Sequence, residues 1–117
     1  MRDERAFLFD MLESARLAQR YISGKSFDDF MNDGMMRDAI LWRLSVIGEA
    51  AKKVSQPTRQ LLPTLPFDDM AAMRNLLIHT YWLAKWQTVW DTVAKDLPVL
   101  IDAIGPLLTP PDPSAGL

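Results

Sequence analysis

Residues Met35 to Val54 read MMRDAILWRLSVIGEAAKKV, and this stretch decides the fold. Ile40, Leu44, Ile47, Ala51 and Val54 recur at spacings of four, three, four and three, which puts one apolar stripe on one face of an α-helix. Trp42, Arg43, Ser45 and Glu49 lie off that stripe. Gly48 in mid-helix costs about 1 kcal/mol against alanine. Two readings account for it: close approach of another helix, or a glycine that is simply tolerated.

The same period extends in both directions. Residues 3 to 23 read as a helix, with Leu8, Met11, Ala15, Ala18 and Ile22 in one stripe, Leu12 beside them, and Phe7, Leu17 and Tyr21 widening it. Gly24 supplies a stop that can take positive φ. Ser26 can cap a short helix over Phe27 to Asn32, with Asp28 and Asp29 in its first turn, and Gly34 interrupts before the long helix. Gln56-Pro57 ends the long helix, and Pro57 to Pro66 reads as a loop with one short turn. A further helix runs from about Phe67 to Trp82, with Asp68 and Asp69 at its start. The last starts near Lys85 and carries Trp90, Val93, Leu97, Leu100 or Ile101, Ile104 and Leu107 or Leu108 in register. That register survives Pro98, so a kinked helix is expected, or two helices end to end with Asp96 capping the second. Thr109 to Leu117 has no periodicity and is expected to be disordered.

No segment alternates with period two. The expected fold is all-α: an up-and-down antiparallel four-helix bundle with an extra short helix, one domain over residues 1–108. With 117 residues, 49% hydrophobic and 24% charged, the chain has the composition of a soluble globular protein. It has no apolar run of the ~18 residues a membrane span needs and no signal-peptide pattern in its first residues, so a cytoplasmic location is the expectation. No cysteine is present and there is one histidine, which removes thiolate chemistry and a multi-His zinc site within one subunit. A net charge of −2 argues mildly against a high-affinity nucleic-acid coat but is compatible with an enzyme that grips a few nucleotides.

The sole histidine lies in Arg74-Asn75-Leu76-Leu77-Ile78-His79-Thr80-Tyr81. On a helix, Met70, Met73, Leu77 and Tyr81 fall within about 80° and form a core stripe, which Arg74 borders. Ala72, Asn75, Leu76, His79 and Trp82 form a second stripe, apolar and amide-bearing, unlike a solvated face. A second copy of the chain would bury it, as would the short helix at residues 27 to 33. Arg74 and His79 are about 140° apart around the axis and about 7.5 Å along it, so they can flank a ligand in a groove. In a homodimer each groove would hold two of each. Such a set suits RNA cleavage through the 2′-hydroxyl: histidine as base or acid, arginine on the phosphate oxygens, and no metal. Plainer roles compete: a structural histidine, Arg74 paired with Asp69 or Asp38, Tyr81 packing in the core, and Glu49 bridged to Lys52 and Lys53 along its own helix.

Arg74, His79 and Tyr81 together resemble the Arg-x4-His-x-Tyr signature of the HEPN ribonucleases, in particular the HepT toxins. Other segments follow in the family's order: Ile47-Gly48-Glu49-Ala50-Ala51 with Arg43 before it, Leu65-Pro66-Phe67, Met73-Arg74-Asn75, Val89-Trp90 and Asp96-Leu97-Pro98. The resemblance covers about residues 3 to 108; Trp82 and Lys85 depart from it, standing where Phe and Asp are commoner. It implies a homodimeric, metal-independent endoribonuclease with no cofactor. Arg74 and His79 would be catalytic, with Asn75, Arg43 and Glu49 supporting the RNA substrate, a tRNA or mRNA. It also implies the toxin of a type II or VII-like toxin–antitoxin pair, silenced by a minimal nucleotidyltransferase antitoxin that adenylylates Tyr81. The alternative is a non-catalytic helical dimer module that binds nucleotides or a partner through the same cleft.

Overall fold

Helix α1 (Glu4–Ile22) starts where the Asp3 side chain accepts the Arg5 N–H at 3.0 Å, and it is followed by Gly24 at φ 72°. The computed structural model describes residues 3–75 and 85–108. Helix α2 (Phe27–Met31) opens on a reciprocal cap, in which the Ser26 hydroxyl accepts the Asp29 N–H and the Asp29 carboxylate accepts the Ser26 N–H. The Ser26 backbone N–H, and then its hydroxyl, hold the Asp29 carboxyl below its ordinary value. Gly34 does not interrupt the chain here. It is the first residue of α3 (Gly34–Lys53), and Asp33 before it accepts the Met36 N–H.

Helices α1 and α3 run antiparallel. The Glu4 carboxylate accepts the Ser55 N–H at 2.9 Å, Lys53 lies over the Phe7 ring, and Arg43 Nη1 reaches the Ser14 hydroxyl at 3.5 Å. Their facing stripes, Leu8, Met11, Ala15 and Ala18 against Ile40, Leu44, Ile47 and Ala51, are buried as the periodicity predicts. Ser14 and Ser45, off those stripes, are buried too. Ser45 donates to the Trp42 carbonyl of its own helix, which satisfies the hydroxyl there.

The proline-rich connection contains helix α4 (Gln56–Gln60), with Pro57 in its first turn, where a missing N–H breaks no helical bond. Arg59 in α4 ties three segments together. It donates to the Val54 and Ala51 carbonyls at the end of α3, pairs with Asp68 at 3.1 Å, and lies over the Phe67 ring. Helix α5 (Phe67–Ala71) is shorter than expected: the backbone tightens into a 3-10 turn over Ala72–Asn75. Residues 76 to 82 of the expected helix lie outside the described residues, as does the tail expected to be disordered.

After Lys85 the chain forms helix α6 (Trp86–Asp91), a π-helical segment (Thr92–Asp96) and helix α7 (Leu97–Leu108). The aromatic rings of Phe27, Phe30, Trp86 and Trp90 pack together with centroids 5.4 to 6.0 Å apart, joining α2 to α6. At Pro98 the two helical stretches join end to end through a π turn. The Leu97 N–H donates to the Thr92 carbonyl five residues back. That leaves the Val93 carbonyl without Leu97 as donor, and the next residue, Pro98, has no N–H. The Gln19 amide of α1 donates to the Val93 carbonyl instead. Val89, Val93, Leu97, Leu100 and Ile104 then face the core in one line, and α7 packs on α1. The described residues contain no strand, and the fold is an all-α helical bundle of the expected class. No described helix is long and apolar enough to cross a membrane.

Gln19→Leu should destabilise the fold by about 1–3 kcal/mol, because the Val93 carbonyl loses its donor. The cost should shrink in a Pro98→Ala background, where residue 98 regains an N–H. Denaturant unfolding of the four proteins in this cycle measures both effects.

Candidate active site at the junction of α3 and α5

Burial of Phe67 and Met70 presses α5 onto α3, and the Arg59 contacts fix where α5 begins. The two backbones meet at Gly48. A Cβ at that position would lie 2.6 Å from the Arg74 amide nitrogen and 3.2 Å from the carbonyl oxygens of Met70 and Ala71. No side chain fits there without moving backbone. Of the two readings of Gly48, close approach is the one the structure bears out, and the approaching segment carries Arg74.

The next residue of α3 meets the Arg74 side chain. Arg74 Nε and Glu49 Oε1 are 2.8 Å apart. Glu49 thus joins a distant segment, and Arg74 pairs with Glu49 where Asp69 or Asp38 was the simpler expectation. The two side chains are 59% and 44% exposed, open enough for an incoming anion to reach the guanidinium. Within the 3-10 turn, residues three apart eclipse, so Ala72 and Asn75 share one edge, and both are exposed. Met70, on the other side of the same segment, is buried and Met73 half-buried.

Arg43 stands elsewhere: its guanidinium reaches Ser14 of α1, away from Glu49 and Arg74. His79 and Tyr81 lie outside the described residues, four and six positions beyond Asn75 in the chain. Arg59, which positions α5, carries no sequence signal of that role, because its partners come from two other segments, the end of α3 and the start of α5. Among the described residues no group of three or more His, Asp or Glu could hold a metal ion.

A cavity of about 410 Å³ lies between α5 and the α6–α7 rod, with Leu65, Met70, Met73, Leu97 and Leu100 in its walls. Its titratable lining among the described residues is Asp69 and Asp96, without a cation. Phosphate is repelled by such walls. The ion pair at Glu49 and Arg74 is the better candidate for a site that meets RNA.

Comparison with known proteins points to one family. Residues 11–107 match the family model described as “Ribonuclease HepT-like”. A Methanocaldococcus jannaschii protein named “Putative RNase” is 35% identical over 97 residues, covering 83% of this chain and 89% of that protein. “Probable ribonuclease HepT” of Thermococcus cleftensis is 33% identical, covering 85% of this chain and 90% of its own length. A Caldanaerobacter subterraneus protein, also named “Putative RNase”, is 31% identical over 86% of this chain and 89% of its own. No solved structure gives a significant match. The family model spans most of the chain and the relatives are matched nearly end to end, so this chain belongs to the HepT-like ribonuclease family.

Proposed function

We propose that the chain is an endoribonuclease, the toxin of a toxin–antitoxin pair, and that it cleaves RNA through the substrate's own 2′-hydroxyl without a metal. The carrying observation is the exposed Arg74 guanidinium, held by Glu49 five residues before the only histidine. The names of the relatives support its ribonuclease part.

In this reading a base takes the 2′-hydroxyl proton as the 2′-oxygen attacks phosphorus. The bond from phosphorus to the 5′-oxygen breaks, and an acid protonates that oxygen. The products are a 2′,3′-cyclic phosphate and a 5′-hydroxyl. His79 serves as base in one subunit and as acid in its partner, since imidazole titrates near neutral pH and each chain has only one. Arg74 binds the non-bridging phosphate oxygens, where charge builds up in the transition state. Asn75, exposed beside Arg74, offers an amide donor to the same phosphate, and Arg43 serves a phosphate beyond the scissile one. The functional unit is a homodimer in the cytoplasm, and the substrate is a tRNA or mRNA. A nucleotidyltransferase antitoxin silences it by adding AMP to Tyr81, whose phosphate then occupies Arg74 in place of RNA.

Arg74→Ala and His79→Ala should each slow RNA cleavage in EDTA by about 100-fold or more while the circular dichroism spectrum stays unchanged. Wild-type rates in either variant would refute the assignment, and nucleotide binding without cleavage would favour the non-catalytic module. In solution, scattering mass at micromolar concentration should be that of two chains; a clean monomer removes the shared cleft. Co-expression with a nucleotidyltransferase partner should add mass in multiples of AMP. That shift should disappear in Tyr81→Phe.

A further inference from the structure

We infer that Glu49 is a positioning residue for Arg74, and that it reserves one edge of the guanidinium for phosphate. Guanidinium offers two bidentate edges to an oxyanion, one formed by Nε and an Nη, the other by the two terminal nitrogens. Glu49 holds the Nε edge, at 2.8 Å. The two terminal nitrogens form the other edge of the planar group, and in a side chain 59% exposed that edge can meet two phosphate oxygens. The backbone supports the same geometry. Gly48 admits the Arg74 amide into a space no Cβ could share, so the root of the arginine is fixed by packing and its head by the adjacent Glu49. The Glu49 carboxylate does not itself bind RNA. Its charge opposes phosphate, and it acts on the reaction only through the orientation it gives Arg74.

This inference rests on the ribonuclease reading, and its tests separate the two. Glu49→Ala should lower kcat by about tenfold or more, because the guanidinium is no longer aligned for the transition state. KM should stay level or fall, since a repelling carboxylate has gone. Glu49→Gln keeps an oxygen that accepts from Nε, and should recover most of kcat. In an Arg74→Lys background, whose side chain has no Nε edge, Glu49→Ala should cost nothing further. Independently of activity, the Arg74 Nε–H resonance should be protected from exchange in the wild-type protein and in Glu49→Gln, and lost in Glu49→Ala. Wild-type kcat in Glu49→Ala, an equal loss in the Arg74→Lys background, or an Nε–H resonance unaffected by Glu49→Ala would overturn the assignment. Should Arg74→Ala itself cleave at the wild-type rate, the ribonuclease reading fails instead, and the Nε–H resonance still tests whether Glu49 holds the arginine.

Discussion

The contact on which the rest depends is the one with no side chain in it. At Gly48 the backbone of α3 comes so near the turn after α5 that one added carbon would meet a nitrogen at 2.6 Å and two oxygens at 3.2 Å. Interiors are packed too densely for such an approach to be moved by a methyl group without cost. The glycine's penalty within the helix, about 1 kcal/mol, is offset by what it permits: Phe67 and Met70 reach the core, and Arg74 leaves the turn beside Glu49.

Cause and consequence can be ordered by magnitude. An ion pair about half exposed at both ends is worth between nothing and about 1 kcal/mol, too little to bring α5 to α3. Burial of two large apolar side chains, at about 1.5–3 kcal/mol each, is the larger effect. The Arg59 contacts with the end of α3, Asp68 and the Phe67 ring add further restraint. Packing therefore sets the position of Arg74, and the ion pair selects among the orientations its side chain could take there. Fine orientation is the property a phosphate-binding arginine needs, and a weak interaction is enough to supply it.

This division explains which parts of the molecule could be read from the letters. Helices α1 and α3 declare themselves through stripes such as Ile40, Leu44, Ile47 and Ala51, because one face of each is covered along its length. Gly48 could be suspected for the same reason, as a break in an otherwise regular pattern. Arg59 could not, since its partners lie at the end of α3 and in α5, and no local period encodes them. The 3-10 turn at Ala72–Asn75 and the π turn before Pro98 are likewise set by neighbours: α3 lies against the first, and Gln19 of α1 satisfies the second. Within the site, the residue types and their spacing were legible at Arg74, but the pairing with Glu49 was not. It joins residues on two helices, whereas the sequence pattern favours Lys52 and Lys53 one turn away.

An acidic chain of a ribonuclease family has an electrostatic problem to solve locally if RNA is its substrate. With a net charge of −2, long-range attraction of a polyanion is weak, and at physiological salt charges more than about 8–10 Å apart are screened in any case. Placing a carboxylate beside Arg74, the arginine proposed to meet phosphate, adds to the difficulty at first sight. Arginine tolerates it because its charge is spread over a planar group with two separate edges, whereas a lysine ammonium would offer Glu49 and a phosphate the same point charge. A site built on Arg74 and Glu49 therefore gives up some affinity for RNA in the ground state. In return, under the proposed mechanism, the guanidinium is held where the phosphate becomes most negative. Only interactions stronger in the transition state than in the ground state raise the rate, and the proposed role of Arg74 asks for an arginine aligned by its neighbour in this way.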